Sequence, residues 1–167
     1  MAEGAQAERG YLKAHIACYD NCLVPSVRTT GPHASDTTRL IPLVRRVRRR
    51  RGTGAPAIRA DGAYTSRMNA QFIHDRGAIP YLRPRKDAIG WSRGYPAWRT
   101  MMLRYNSERG AWLKEYHKRW IVESVFSAVK RRLDPCLFSV RRDLQRRELV
   151  MKFLVHNLIL IARRERR

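Results

Sequence analysis

Tyr116, Arg119, Glu123 and Lys130 are spaced so that a single helix would turn all four to one side. At about 100° per residue they fall within roughly 60° of one another on the wheel of a helix over Gly110–Leu133. Ile121, Val122, Val125, Phe126, Val129 and Leu133 fall on the opposite side as an apolar stripe. One acid beside a guanidinium, an ammonium and a phenol has two readings. As a solvated face it carries i,i+4 ion pairs, Glu115 with Arg119 and Arg119 with Glu123. As a site it offers a carboxylate ligand for a hard metal, cations that grip phosphate and a phenol for a nucleotide. Asp61 is the second candidate. It follows a short strand over Ala55–Ala60 and precedes Gly62, which puts a carboxylate at the carboxyl end of a strand, where α/β sheets bind ligands. An Asx turn over Asp61-Gly62 is the plainer reading of the same residues.

Three further patterns bear on chemistry. The run Arg45-Arg46-Val47-Arg48-Arg49-Arg50-Arg51 is either a solvated helix end or a contact to a phosphate backbone through residues such as Arg48 and Arg49. Trp91, Tyr95 and Trp98, interleaved with Arg and Lys, either stack on exposed bases or pack a loop. His15, Cys18 and Cys22 lack a fourth ligand and the usual zinc spacing, and Cys136 stands alone as a structural thiol.

The composition says what such groups would meet. The 167 residues carry 35 Lys+Arg against 14 Asp+Glu, a formal net charge of +21. That field predicts a polyanionic partner, nucleic acid first and a membrane surface second. The 44% hydrophobic content excludes a disordered basic tail. The longest apolar stretch, Phe153–Ala162, is broken by His156 and Asn157 and is too short to span a bilayer. Met1–Gly10 lacks the apolar run of a secretory signal and reads as a disordered or non-native leader. Three cysteines make no disulfide framework, so a reducing cytoplasm is expected.

The elements that must position these residues follow from periodicity. Tyr11–Tyr19 and Cys22–Thr30 predict a hairpin, turning at Asp20-Asn21 and weakened by Pro25. Ser35 or Asp36 caps a helix that carries Leu40, Leu43, Val44 and Val47 into the arginine run and stops at Gly52. The strand before Asp61 leads to a helix capped by Thr65 or Ser66 and ended by Gly77. A strand over Ala78–Leu82 and a basic loop over residues 83–108 come next. The long helix over Gly110–Leu133 ends at Asp134-Pro135. A last helix, about Arg141–Arg164, is apolar on more than one face through Leu149, Val150, Phe153, Leu154, Leu158, Ile159 and Ile161. Core packing is its main use and a dimer contact its minor one. The order is that of an α/β fold with parallel crossovers.

The spacing Tyr116-x2-Arg119-x3-Glu123-x6-Lys130 resembles the Tyr–Arg–Glu–Lys signature of insertion-sequence DDE transposases, in particular the insertion-sequence-4-like group. Ala60-Asp61-Gly62-Ala63-Tyr64-Thr65-Ser66 resembles the segment bearing that family's second catalytic Asp. Lys13-x-His15 is similar to its second strand, Thr30-Gly31 with Ser35-Asp36 to the start of its first helix, and Lys152 with Asn157 to its last helix. The resemblance covers about Tyr11–Ile161. It implies a ribonuclease-H-like catalytic domain over 11–167 in which three carboxylates hold two Mg²⁺ ions for phosphodiester cleavage and strand transfer during DNA transposition. Asp61 and Glu123 would be catalytic metal ligands. Tyr116, Arg119 and Lys130 would bind the strand. The partner would be double-stranded DNA, at transposon ends and target, in the cytoplasm at the nucleoid.

The family's first Asp lies on a central strand ahead of Lys-x-His, and Met1–Gly10 contains Glu3 and Glu8 but no Asp. Asp20 sits in the expected hairpin turn and Asp36 at a cap. The expectation is a C-terminal portion of a transposase, incomplete at its central strand and inactive alone, that works as a homodimer or with an upstream transposase fragment. The alternatives are a non-catalytic DNA-binding remnant and a basic RNA-binding protein of ribosomal type. If the arginine run touches DNA, reversing charge at Arg48 and Arg49 lowers the log–log salt slope of duplex binding by about 2. An unchanged slope removes the run from the interface.

Overall fold

The computed structural model describes residues 11–47, 57–91 and 93–166. The segment expected as a leader, residues 1–10, and Arg48 and Arg49 of the arginine run lie outside the described residues.

The chain opens with an antiparallel hairpin, β1 (Lys13–Ala17) and β2 (Ser26–Thr30), in the register Lys13↔Thr30 to Ala17↔Ser26. The expected turn carries it: the Asn21 side chain accepts the Leu23 N–H at 3.1 Å, and Cys22 takes a left-handed conformation, φ 66°. Pro25 sits just ahead of β2, where its missing N–H costs no ladder bond. A 3-10 turn, Thr37–Arg39, leads into α1 (Leu40–Arg45), which buries Leu40, Leu43 and Val44. Asp36 precedes it but makes no capping bond. Its carboxylate pairs instead with the Lys13 ammonium at 3.2 Å, tying β1 to the helix start.

β3 (Ala57–Ala60), α2 (Arg67–Asp75) and β4 (Ile79–Leu82) form the parallel crossover that the sequence predicts. The Ser66 hydroxyl caps α2 by accepting the Asn69 N–H at 3.0 Å, and Gly77 ends the connection at φ 71°. The fold is thus α/β. Its strands form two sheets of two, and among the described residues β1 and β3 each have one unpaired edge.

Three expectations change. The helix expected to carry Val47 into the arginine run and stop at Gly52 ends already at Arg45. Within the stretch read as a basic loop, Pro96–Ser107 is a helix, α3. Pro96 starts it, and Trp98, Met101 and Met102 recur at helical spacing on its buried face. The glycines and arginines around it conceal a short apolar stripe. The single long helix also becomes two, α4 (Arg109–His117) and α5 (Trp120–Leu133), separated at Lys118-Arg119. Tyr116 and Val125 are both buried. Nine residues apart on a straight helix they would point about 180° from one another. The bend lets one stretch of chain bury Tyr116 on Trp112 and Val125 in the core beneath the hairpin. Its backbone tightens there, with Lys118 N–H donating to Glu115 C=O and Arg119 N–H to Tyr116 C=O.

One core joins α1, α2 and α3 around Leu40, Ile73, Leu82, Trp98 and Met101. The other joins the hairpin, α5 and the last helix, α6 (Arg142–Glu165), around Ile16, Val24, Val125, Val129 and Phe153. Asn157 pins α6 to the hairpin by accepting the Val24 N–H (2.8 Å) and donating to the Val24 C=O (2.9 Å). Among the described residues no helix is long and apolar enough to cross a membrane.

Trp98 is 5% exposed and Trp91 68% exposed. Trp98→Ala therefore costs about 3–5 kcal/mol of unfolding free energy, whereas Trp91→Ala stays within about 0.5 kcal/mol of the parent. Urea unfolding of both variants checks this.

Candidate active site

Asp61 stands at the carboxyl end of β3. It is exposed, and its side chain accepts its own neighbour's N–H, that of Gly62, at 2.6 Å. The Asx turn and the strand-end carboxylate are therefore the same object. The 3-10 turn Gly62–Tyr64 follows and carries Tyr64 back beneath the hairpin. There the Tyr64 hydroxyl meets His15 Nδ1 at 2.7 Å, while His15 Nε2 meets the Thr30 hydroxyl at 2.9 Å. Burial pushes the Tyr64 hydroxyl up to about 12, helped by Asp36 and Asp61. Tyr64 stays protonated, and both hydroxyls can donate or accept, so the His15 tautomer sets the direction of the two bonds. His15 is only 2% exposed, and burial lowers its pKa; Asp36 opposes that shift while Lys13 and Arg39 add to it. A neutral imidazole thus locks the Asp61 turn to the hairpin.

Glu123 stands on the first turn of α5, exposed, with Arg119 one turn before it. The Arg119 guanidinium donates to Glu123 at 2.7 Å and lies 5.4 Å from the centre of the Tyr116 ring. Burial acts to lower the Arg119 pKa, but Tyr116, Asp61 and Glu123 together raise it. Burial likewise raises the Tyr116 hydroxyl, with Asp61 adding to the shift and Arg119 and Arg83 opposing it. Arg119 is thus the cation that both candidate carboxylates feel. Asp61, Glu123 and Arg119 border one cavity of about 610 Å³. Its walls come from β1, β3, α1 and α5, with Ile16, Leu43, Ile58, Val122 and Phe126 supplying apolar surface.

The other expected site residues fare differently. Lys130 is exposed on α5, two turns beyond Glu123 and on the same helical face. Trp91 is exposed. Trp98 is not: it is buried, and its indole N–H donates to the Ile89 carbonyl at 2.9 Å, so base stacking by this ring is corrected to core packing. Tyr116 is 2% exposed and stacks on Trp112, centroids 5.2 Å apart at 17°. It has no free face for a base; it supports Arg119 instead. Tyr95 packs half-buried against the α1–α3 core.

The sequence reading missed Arg59. This β3 guanidinium donates to Glu115 at 2.6 Å, approaches Asp20 at 3.8 Å and lies 5.9 Å from the Tyr81 ring centre. Glu115 also accepts from Lys118. Those two bonds hold its carboxyl below the usual range. The expected Glu115–Arg119 pair is therefore replaced, and Arg119 is left to Glu123. An Arg in the middle of a short strand was the available signal, since a charge there needs a partner.

The transposase DDE domain family matches residues 1–158 of the chain. The chain belongs to this family. No curated protein and no solved structure matches it significantly. DDE transposases act on DNA and generally use divalent metal. Asp61 and Glu123 are hard oxygen donors of the kind such ions take. Among the described residues, however, no three His, Cys, Asp or Glu stand together as a metal-binding group.

His15 has a folded pKa below its ordinary 6.5, so the unfolded chain takes up the proton more readily. Its contribution to stability is complete above about 6.5 and is lost as the pH falls toward the folded value. Urea unfolding between about pH 7.5 and 5 is expected to show falling stability for the parent and a flatter profile for His15→Asn. Parallel profiles would show that this lock does not operate.

Proposed function

We propose that the protein works on double-stranded DNA as the Asp–Glu part of a transposase centre of the insertion-sequence-4-like group, built on a ribonuclease-H-like plan. The observation that carries this reading is the placement of Arg119, paired with Glu123 and within electrostatic reach of Asp61 at the mouth of one cavity. Two carboxylates beside a shared guanidinium suit a phosphodiester, whose charge the cation meets. Arg119 exchanges its Glu123 partner for a phosphate as a strand arrives. Lys130 holds the backbone further along α5, and Trp91 offers its exposed ring to an unstacked base. Arg48 and Arg49 extend the contact. A nucleoid location in the cytoplasm follows from the substrate.

Mg²⁺, bound by Asp61, Glu123 and a third carboxylate, would supply charge neutralisation at the scissile phosphate. We place that third acid on a strand seated between β1 and β3, which each have an unpaired edge among the described residues and both line the cavity. An upstream transposase fragment is the proposed source of that strand, and the chain alone is then inactive. A second reading is a DNA-binding remnant that no longer cuts and keeps only the basic surface, for which the surplus of 35 Lys+Arg over 14 Asp+Glu is enough.

The test mixes supercoiled plasmid with Mg²⁺ and the chain, alone or co-expressed with its upstream reading frame. Nicking is expected only with the upstream segment and is expected to fall at least about 10³-fold in Glu123→Gln. Nicking by the chain alone, lost in Glu123→Ala, would overturn the need for a third acid. Binding without nicking in either form would favour the remnant. Preference for RNA would contradict both.

A further inference from the structure

α6 is buried along one side and bare along another. Phe153 and His156 are buried, and Leu149 packs against the hairpin core. On the far side Leu144, Met151, Leu154, Leu158 and Ile161 are 40–56% exposed. A helix that packs on one core needs one apolar stripe, so the second is unexplained by the fold. Its spacing is regular. With Arg147 and Glu165, these five residues fill every position of an alternating three-then-four pattern from Leu144 to Glu165. That is the a and d seam of a coiled coil, sustained over three heptads of a helix about 36 Å long.

We infer that α6 pairs with α6 of a second copy as an antiparallel coiled coil, in which Arg147 of each copy faces Glu165 of the other. The two charged positions select both the occupant and its direction. Set antiparallel so that Leu154 meets Leu158 of the second copy, the helices also bring Met151 to Ile161 and Arg147 to Glu165. Each contact joins an a position to a d position, and the twofold axis makes the charge pair twice. Set parallel, the same helices place Arg147 on Arg147 and Glu165 on Glu165, like charges inside an apolar seam. Polar residues at seam positions fix register and orientation in this way. Among the described residues neither Arg147 nor Glu165 has an ion-pair partner in its own chain. The seam therefore complements itself in shape period and in charge, which an unrelated helix or a lipid surface would not require. This pairing is independent of the DNA-cleavage reading, since Asp61, Glu123 and Arg119 are not part of the seam.

Sedimentation of the whole chain over the micromolar range tests it. The parent is expected to be a dimer and Leu154→Lys/Leu158→Lys a monomer with unchanged circular dichroism. Arg147→Glu and Glu165→Arg are each expected to weaken the dimer about tenfold or more, and the double exchange Arg147→Glu/Glu165→Arg to restore it. Because these side chains are exposed, the exchange variants retain the fold whatever the oligomeric state. A monomeric parent would overturn the inference. So would a dimer indifferent to the charge exchange, or a parent that stays monomeric and binds anionic vesicles through the stripe.

Discussion

Trp112 and Tyr116 must pack against Tyr81 of β4 and Tyr105 of α3, and Val125 and Val129 must reach the core beneath the hairpin. A straight helix presents those two sets on opposite sides, so burial of both forces the chain to turn between His117 and Trp120. Much of the site depends on that turn. It places Arg119 at the junction, with its guanidinium over the buried Tyr116 ring and its hydrogen bond on Glu123, one turn into α5. The aromatic stack of Trp112 and Tyr116 is thus more than packing: it fixes the base on which the shared cation rests. Arg59 does the corresponding work one layer away, holding Glu115 to β3 so that Arg119 has a single carboxylate partner.

A second fixed point comes from the hairpin. His15 is held at both ring nitrogens, by Tyr64 and by Thr30, and Tyr64 belongs to the turn that begins with Asp61. The Asp61 carboxylate is exposed, but its backbone is anchored by a buried network. The site therefore consists of two carboxylates on rigid supports, one on a strand end and one on a helix start, facing a cavity walled by apolar side chains. Preorganisation of this kind lowers the cost of gathering charge around a phosphate.

Much of this was legible in the residues. The hairpin, its turn at Asp20-Asn21, the Ser66 cap and the parallel crossover all follow from local signals that act within a few residues. The pairing of Arg119 with Glu123 follows from helical spacing. What sequence reading loses is whatever depends on distant partners. Periodicity makes one helix of Gly110–Leu133 because no local breaker stands at Lys118-Arg119; the break comes from burying Trp112 and Tyr116 beside β4 and Val125 and Val129 in the hairpin core. Tyr116 looked exposed because its neighbours on the wheel are charged, while Trp112 and Arg119 enclose it. Trp98 looked like part of a basic loop because Pro, Gly and Arg surround it, although its spacing to Met101 and Met102 already implied a buried face. Arg59 was missed because its partners lie on other elements. Family membership joins these parts to DNA chemistry, and the roles of individual residues rest on the geometry.

The central claim is that Asp61 and Glu123 face one divalent ion. The most direct measurement loads the chain, co-expressed with its upstream reading frame, with Fe²⁺ and duplex DNA, adds ascorbate and peroxide, and maps where radicals made at the bound iron cut the polypeptide. The account predicts two cut regions, one around Asp61-Gly62 and one around the start of α5, both lost in Asp61→Asn and in Glu123→Gln. Cuts confined to one region, or cuts that survive both substitutions, would contradict it.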